Sequence, residues 1–482
     1  MRTEIYIGGA WRKGHGEAFA SYDPATGDKV WEGHAANEDD VAEAMAAARL
    51  AFPAWSRRPV EERIAIVRAF AKEIENRSDE IARTISREMG KVTWDAKGEV
   101  AAMIGKIEIS IRAQAERAGH REEKAAFGAM TLSHHAHGVL GVFGPFNFPG
   151  HLPNGHIVPA LLAGNCVLFK PSEMTPGVGA LMVEAWETAG LPAGVLNLLQ
   201  GGRETGAALL DSHGLNGVLF TGSAHTGALI HKKFAGRPDV ILALELGGNN
   251  PLIVWPPVDV KAAANLIVHS AFATSGQRCS CARRLIVPQG AEGDAIVAAL
   301  AELTPQIGVG PATQTPEPFL GPLVNAHAAE RAVKFEQGLI AMGGKPIVPV
   351  KRDGAYVHPA IIDVTGLTPP DEELFGPVLQ VYRAPDFDHA LDLANATRFG
   401  LAGGLISDDP ALWARVKNEM RAGVLNWNRP TTGASGAMPF GGPGLSGSLR
   451  PSAYYAADYV AFPVATQLSE KAAPITAPGL PS

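Results

Sequence analysis

A chain of 482 residues is longer than one hydrophobic core can organise, so two or three domains are expected. Its 46% hydrophobic and 19% charged residues are typical of a globular protein and exclude a disordered one. The net charge of −7 offers phosphate no general attraction, no apolar run reaches the ~18 residues of a membrane span, and the N-terminus carries no secretory signal. We therefore expect a cytoplasmic protein that binds neither nucleic acid nor membrane.

The chain has only three cysteines, Cys166, Cys279 and Cys281. A small, odd number in a long chain argues against a disulfide framework and for a reducing compartment. Cys279 and Cys281 would make half of a zinc site, but no second pair of Cys or His follows at zinc spacing. The sequence therefore predicts no metal site.

The first third of the chain has the apolar periodicity of helices. Between Val60 and Ile74 apolar residues recur at steps of three and four, and Pro59 precedes them as a start signal. A second stripe follows Ser78, a candidate N-cap, and ends before Gly90. A third stripe consists of Val100, Met103, Ile104, Ile107 and Ile111. We expect these faces to cover a sheet.

From about residue 138, short apolar runs alternate with helical segments, as is typical of parallel strands crossed by helices. The runs expected to form strands are 139–143, 166–169, 195–199, 218–220 and 240–244, followed by 285–287, 346–350, 378–382, 403–406 and 423–427. Two successive α/β domains fit this pattern better than one. Residues 471–482 are rich in Pro and Ala and are expected to form a loose tail.

Two strand ends carry residues that suit a nucleotide. The segment from Phe220 to Gly227 ends a strand and opens a helix, whose N-terminus would offer free N–H groups to phosphate. It lacks the full G-x-G-x-x-G fingerprint, so a purely structural turn stays an alternative. Lys170 and Glu173 follow another strand, where they would bond the ribose hydroxyls of an adenosine or form a surface ion pair.

Cys279 and Glu245 are the candidate reactive pair. Cys279 follows Gly276-Gln277, and Glu245 lies upstream in a Leu-Glu-Leu-Gly-Gly segment. A covalent acyl-enzyme mechanism needs a thiol nucleophile and a carboxylate base, because the thioester that forms must meet an activated water.

Two further segments hold polar side chains among apolar ones. Asn147 lies between aromatic and proline residues, where its amide would donate to a developing oxyanion or simply form a turn. Glu373 and Phe375 precede a late strand. The Glu373 carboxylate would bind a second ribose, and the Phe375 ring would contact a flat heterocycle. The alternative is that this segment is only a turn before the strand.

Together these segments resemble the NAD(P)-dependent aldehyde dehydrogenase superfamily, from about Tyr22 to Gly442. Six elements stand in the order of that family: aromatic-Asn-Phe-Pro, Lys-Pro-Ser-Glu, Phe-Thr-Gly-Ser, Glu-Leu-Gly-Gly, Gly-Gln-x-Cys and Glu-x-Phe-Gly-Pro. Within the superfamily the chain is similar to the N-succinylglutamate 5-semialdehyde dehydrogenases of bacterial arginine catabolism. The segments that carry this narrower resemblance are 148–156, 279–284 and 450–459.

The resemblance implies an α/β fold in three parts. These are a Rossmann-like cofactor domain (1–122 and 142–246), an α/β catalytic domain (247–446) and a small β oligomerisation arm (123–141 and 458–470). The arm would pair a strand near 125–140 with one near 459–467, where Pro463 is expected to interrupt the pairing. A homodimer or a dimer of dimers follows.

The resemblance also implies a mechanism. Cys279 would attack the aldehyde as thiolate, while the Asn147 amide and the Cys279 backbone N–H stabilise the oxyanion. After hydride transfer to NAD, Glu245 would activate the water that hydrolyses the thioester, and Cys281 would have no chemical role. Lys170 and Glu173 would bind the adenine ribose, where Glu173 would repel a 2′-phosphate and favour NAD over NADP. The other residues implied at the cofactor are Gly222, Ser223, Ala224, His225, Thr226, Gly227, Glu373 and Phe375.

The implied reaction is oxidation of N-succinyl-L-glutamate 5-semialdehyde to N-succinyl-L-glutamate. Because this substrate carries two carboxylates, its pocket should offer cations or several donors. The candidates are Arg112, His151, Arg278 and Arg429, and for each arginine a surface or structural role is the alternative. Other open alternatives are a dehydrogenase for succinate or glutamate semialdehyde, a CoA-acylating transferase, against which Glu245 argues, and a catalytically silent homologue.

Overall fold

The computed structural model describes residues 1–475 and 477–480. The loose tail expected at 471–482 therefore lies partly outside the described residues, and residues 471–475 belong to no helix or strand. The elements before residue 137 are β1 (Ile5–Ile7), β2 (Ala10–Arg12), β3 (Ala18–Tyr22), β4 (Lys29–His34), α1 (Glu38–Ser56), α2 (Val60–Asn76), α3 (Ser78–Met89), α4 (Thr93–Arg117), β5 (Arg121–Ala125) and β6 (Gly128–Ala136).

The next nine elements alternate strand and helix. They are β7 (Val139–Phe143), α5 (His151–Ala163), β8 (Cys166–Lys170), α6 (Pro176–Thr188), β9 (Leu196–Leu198), α7 (Arg203–Asp211), β10 (Gly217–Thr221), α8 (Ala224–Lys233) and β11 (Ile241–Glu245). A seven-stranded sheet runs in the order β11-β10-β7-β8-β9-β1-β2, with its first five strands parallel. Because the chain moves outward from β7 to β9 and then returns to the other side of β7, the strand order reverses between β7 and β10. Such a reversal opens a crevice at the carboxyl edge of a sheet.

The second half of the chain forms another seven-stranded sheet. Its elements are β12 (Asn250–Val254), α9 (Val260–Phe272), β13 (Ala282–Pro288), α10 (Ala291–Leu303), α11 (Ala326–Ala341), β14 (Lys345–Val348), β15 (Lys351–Asp353), β16 (Tyr356–His358), β17 (Ala360–Asp363), β18 (Val378–Ala384), α12 (Phe387–Asn395), β19 (Ala402–Ile406), α13 (Pro410–Glu419) and β20 (Val424–Trp427). The strand order is β14-β17-β18-β13-β12-β19-β20, and β14 alone is antiparallel. The α/β class is confirmed, and so is each strand expected from the apolar runs. The exact domain boundaries stay predictions.

A three-stranded sheet stands apart from these two. The chain closes with α14 (Ala456–Tyr459) and β21 (Ala461–Leu468), and the small sheet has the order β21-β6-β5. The expected break at Pro463 is wrong, since Pro463 pairs with His134 in an unbroken register from Ala461 to Leu468. β21 is an edge strand within this sheet, and proline is tolerated in edge strands because they carry a hydrogen-bond ladder on one side only.

The helix predictions hold with one correction. α2 and α3 bury the expected stripes, and Gly90 ends α3 in the left-handed conformation with a φ of 84°. Ser78 is not the N-cap, because Arg77 both ends α2 and precedes α3, and no side chain caps that junction. The short strands β1 to β4 were not expected, since three of them have at most five residues and little alternation.

Candidate active site

Four strand ends meet at the carboxyl edge of the first sheet. Phe143 at the end of β7 is in register with Lys170 of β8, and Thr221 of β10 is in register with Glu245 of β11. The segments that follow these strands contain most of the site residues expected from the sequence. Parallel pairing therefore gathers residues that are far apart in the chain at one crevice.

A cavity of about 450 Å³ occupies this crevice. The residues expected at the site that line it are Asn147, Glu173, Gly222, Ser223, Thr226, Glu245, Cys279, Glu373 and Phe375. The expected residues that do not line it are Lys170, Ala224, His225 and Gly227. Gly227 instead packs closely against Leu246, whose side chain a Cβ at this position would overlap.

The loop before Cys279 has an unusual backbone. Thr274 and Ser275 both have a φ of 55°, a left-handed conformation that costs non-glycine residues about 1–3 kcal/mol. Neighbouring side chains hold this conformation. Gln277 accepts a hydrogen bond from the backbone N–H of Val324, and Asn250 donates to the carbonyl oxygens of Cys279 and Cys281 at 2.7 and 2.8 Å.

Cys279 faces Glu245, and burial controls the proton of each group. The pKa of Glu245 is raised to about 8, chiefly by burial; the contact with Cys279 lowers it and the charge of nearby Glu373 raises it. Burial and the Glu245 carboxylate hold the pKa of the Cys279 thiol well above its usual value. Both groups are therefore largely protonated at neutral pH, and Glu245 is placed to take the thiol proton once it has ionised. Glu245 Oε1 has no hydrogen-bond partner among the described residues.

Asn147 is fixed beside the nucleophile loop. Its side-chain amide Nδ2 donates to the carbonyl oxygen of Gln277 at 3.0 Å, and the residue is 3% exposed. This bond uses one of the two amide hydrogens. The other is left to donate to a negative oxygen that develops next to Cys279.

The N-terminus of α8 faces the cavity. Ser223 caps the helix by accepting from the backbone N–H of Thr226 at 3.2 Å, and Gly222 donates its own N–H to the carbonyl of Glu245. The first turn of a helix carries unpaired N–H groups and a partial positive charge, which together suit a phosphate. His225 is exposed on this turn.

Lys170 and Glu173 form an ion pair beside the cavity, which Glu173 lines and Lys170 does not. The Lys170 ammonium donates to the carbonyls of Pro171 and Gly201 at 2.9 and 2.7 Å and lies 3.8 Å from the Glu173 carboxylate. Glu173 is 49% exposed and lines the cavity. Its charge is therefore available to a molecule bound there.

Glu373 approaches the backbone on the other wall. It accepts from the N–H of Gly248 at 3.2 Å, and a Cβ on Gly247 would overlap its carboxylate, so this approach requires glycine. Burial raises the pKa of Glu373 to about 7, against the lowering effect of Arg283. Phe375 lies edge-on to Phe146, with the ring centres 6.1 Å apart.

A second cavity, of about 330 Å³, also reaches Cys279. His151 and Arg278 line it, whereas Arg112 and Arg429 line neither cavity. Arg278 pairs with buried Asp95 at 2.8 Å. The exposed Arg112 lies over the ring of Tyr454 at 5.6 Å.

The structure adds residues that the sequence analysis missed. Arg283 is buried and ties the nucleophile loop to the Glu373 loop by donating to the carbonyls of Arg278 and Gly376. On α4, residues at steps of four, three and four also line the second cavity: Asp95, Glu99, Ala102 and Lys106, of which all but Ala102 are charged. This period, running beside the apolar stripe on the same helix, was the available signal.

The remaining sequence expectations concern cysteines, metals and membranes. The three thiols are free, and Cys281 is fully buried, with its sulfur directed at the carbonyl of Ala273. Within residues 1–475 and 477–480, no group of His, Cys, Asp and Glu side chains is arranged to hold a metal ion. In the same residues, no helix combines the length and apolarity that a membrane crossing requires.

Known proteins are similar to this chain both in sequence and in fold. The sequence model of the aldehyde dehydrogenase family matches residues 11–461. An N-succinylglutamate 5-semialdehyde dehydrogenase of Paraburkholderia xenovorans is 53% identical to this chain over 96% of each sequence. The N-succinylglutamate 5-semialdehyde dehydrogenase 2 of Caulobacter vibrioides is 56% identical over 97% of this chain and 96% of its own sequence. A structure of 1-pyrroline-5-carboxylate dehydrogenase from Thermus with bound NAD superposes with a TM-score of 0.90 at 31% identity, over 96% of this chain and 92% of its own. The chain belongs to the aldehyde dehydrogenase family.

Proposed function

We propose that the protein oxidises N-succinyl-L-glutamate 5-semialdehyde to N-succinyl-L-glutamate with NAD, a reaction of arginine catabolism. The observation that carries the chemistry is that Cys279, Glu245 and Asn147 meet at one point, where two cavities reach the thiol. The relatives of more than 50% identity that carry this name support the substrate. The NAD-bound neighbour supports the cofactor.

The side chains at the junction supply the bond changes. Glu245 takes the thiol proton, and the Cys279 sulfur forms a bond to the aldehyde carbon. The carbonyl oxygen becomes an oxyanion that accepts hydrogen bonds from the Asn147 amide and the Cys279 backbone N–H. Once the carbon has lost its hydride, it is a thioester. Glu245 releases the thiol proton to solvent and, again ionised, takes a proton from water while the water oxygen attacks the thioester carbon. The C–S bond then breaks, the acid leaves, and the Cys279 thiolate recovers a proton from Glu245.

The cavity on the Glu245 side fits a dinucleotide. The α8 N-terminus faces it with unpaired N–H groups, Glu173 and Glu373 offer carboxylates to hydroxyl groups, and Gly222 has room for no side chain because a Cβ would press against Phe220. Lys170 and Glu173 would hold one ribose and Glu373 the other. Bound NAD supplies the acceptor for the hydride.

Glu173→Gln is expected to weaken the preference for NAD over NADP. Removing one half-exposed negative charge near a 2′-phosphate changes binding by about 1 kcal/mol, so the ratio of the two kcat/KM values should fall about fivefold. The measurement is steady-state kinetics with each cofactor. Glu204→Gln, which removes a charge on α7 outside the cavity, is the control, and an unchanged ratio in Glu173→Gln would contradict the assignment.

The substrate is tested by NADH formation from purified protein. We expect N-succinylglutamate semialdehyde to have the highest kcat/KM in a panel with succinate semialdehyde, glutamate semialdehyde and a neutral aldehyde of similar length. A higher value for one of the other semialdehydes would replace the proposed substrate and leave the dehydrogenase chemistry standing. Product formation that depends on added CoA would favour the acyl transferase instead.

We also propose that the β arm joins subunits into a homodimer or a dimer of dimers in the cytoplasm. The arm exposes several large apolar side chains: Phe127, Met130, Phe462 and Leu468. Exposed strand edges with apolar faces favour pairing with another copy. Light scattering on a size-exclusion column should give at least twice the monomer mass of 50.6 kDa, and a monomer at micromolar concentration would contradict the proposal.

A further inference from the structure

Eight of the eighteen residues that line the second cavity have charged or hydroxyl-bearing side chains. One wall is α4, which contributes Asp95, Glu99 and Lys106. The opposite wall is the late loop, with Ser435 and Ser452. The floor is Cys279, so a molecule that fills this cavity places one end at the nucleophile.

Most of the charges around the cavity are already neutralised. Asp95 pairs with Arg278 at 2.8 Å and also accepts from Thr274, and these contacts hold the pKa of its carboxyl below the usual value despite burial. Glu99 pairs with the buried Lys91 at 2.6 Å. Two carboxylates thus face two cations, and neither Arg278 nor Lys91 has charge to spare for a ligand.

Lys106 is the exception. It is 3% exposed and lines the cavity, yet it forms no ion pair or hydrogen bond with any described residue. Its titratable neighbours are His151 and His156. Burial and the Lys106 charge lower the pKa of each histidine to about 3, so both imidazoles are neutral. Burial without an anion also lowers the pKa of Lys106 to about 8. A buried ammonium without a partner is costly unless a ligand supplies the anion.

We propose that Lys106 binds a carboxylate of the substrate and selects acidic aldehydes. This inference rests on the proposed function and names the residue that recognises the substrate. The cavity offers one uncompensated cation, so Lys106 pairs with one of the two carboxylates. The hydroxyl groups of Ser435 and Ser452 are the neutral donors on the opposite wall.

Gly155 keeps this arrangement open. A Cβ at position 155 would overlap the Ser452 hydroxyl and would lie 3.5 Å from Lys106 Cε. Both side chains therefore border the same small space. A glycine on α5 leaves that space to the ammonium and the hydroxyl, which accounts for a residue that is otherwise unfavourable inside a helix.

Lys106→Met tests the proposal, since Met keeps the length of the side chain and removes the charge. We expect kcat/KM for N-succinylglutamate semialdehyde to fall roughly 10- to 100-fold, mainly through KM, as for loss of a charge-assisted hydrogen bond. For a neutral aldehyde of similar length the fall should be at most about threefold. Lys106→Arg should recover much of the difference, because it restores a cation.

Inhibition by the product provides a second readout. N-Succinyl-L-glutamate should inhibit oxidation of the neutral aldehyde by the wild type, and it should inhibit the Lys106→Met variant much less. Lys97→Met, on the exposed face of the same helix, is the control and should be inhibited as the wild type is. Equal losses for acidic and neutral aldehydes, or unchanged inhibition, would overturn the assignment. If the wild type oxidises neutral aldehydes but not N-succinylglutamate semialdehyde, the proposed substrate fails. In that case the role of Lys106 is tested independently, by comparing the effect of Lys106→Met on kcat/KM for succinate semialdehyde with its effect on kcat/KM for butanal.

Discussion

Replacing Cys279 with Ala is expected to lower NADH formation at least about 10⁴-fold with every aldehyde that the wild-type protein oxidises. The reason is that no other thiol reaches the junction of the two cavities. Cys281 is fully buried with its sulfur toward Ala273, and Cys166 lies inside β8. The measurement is the steady-state rate of NADH absorbance increase at saturating aldehyde and NAD.

Cys281→Ala is the matched control, because it removes a neighbouring thiol of the same loop. We expect its kcat to stay within about threefold of the wild type, since the change removes one weak sulfur donor in a packed site. Binding of NAD to Cys279→Ala, measured by calorimetry, shows that the fold is retained. Residual turnover of Cys279→Ala above about 1% of the wild type would show that another group carries the chemistry.

Glu245→Gln is expected to slow thiol activation and to slow thioester hydrolysis more. The thiol can still lose its proton to solvent, because the Glu245 charge that raises the pKa of Cys279 is gone. Gln fills the same space but accepts no proton, so the thioester on Cys279 hydrolyses slowly and steady-state turnover falls at least about 10³-fold. Mass spectrometry of the intact protein, taken after mixing with aldehyde and NAD, should show the mass of the attached acyl group. Glu372→Gln, an exposed neighbour of Glu373, should turn over as the wild type does.

The pH dependence follows from the same carboxyl. Glu245 acts as base only when it is ionised, and burial raises its pKa to about 8, so thioester hydrolysis should accelerate as pH rises through about 8. Native Glu245 holds its proton more tightly than the unfolded chain does, so this residue reduces stability as pH rises above about 4.5. Glu245→Gln should therefore unfold at no lower a temperature than the wild type at neutral pH. A pH-independent hydrolysis rate, or a loss of turnover without an acyl-enzyme, would contradict the role of Glu245 in thioester hydrolysis.

Local sequence patterns were enough to predict the ten strands expected after residue 138 and to propose the catalytic residues. A buried parallel strand is a short apolar run, and this pattern lies within a few neighbouring residues. Cys279, Glu245 and Asn147 likewise stand in segments whose glycines, prolines and aromatic residues restrict the backbone locally. Asn147 follows and Glu245 ends parallel strands whose carboxyl ends share an edge, whereas Cys279 precedes β13 of the second sheet and reaches the junction only through the packing of the two sheets.

The edge strands show where local patterns fail. Pro463 predicted a broken ladder because proline lacks a donor, but whether that donor is needed depends on which side of the strand carries a partner. The strand order places β21 at the edge of its sheet. Position in a sheet is set by pairing with residues more than 300 positions away, and no local pattern contains it.

Which basic side chain is free to bind the substrate also depends on contacts that no local pattern contains. Arg278 and Lys106 are both basic residues near the nucleophile, and by position in the chain Arg278, next to Cys279, is the better candidate for an anchor. Packing reverses that order, because Asp95, 183 positions upstream, neutralises Arg278, whereas Lys106 faces the cavity without an anion. The sequence was sufficient to predict the fold and to propose Cys279 as nucleophile and Glu245 as base, because each of these predictions rests on residues close together in the chain. Which charge stays free for the substrate depends on long-range contacts, and the folded arrangement alone establishes those.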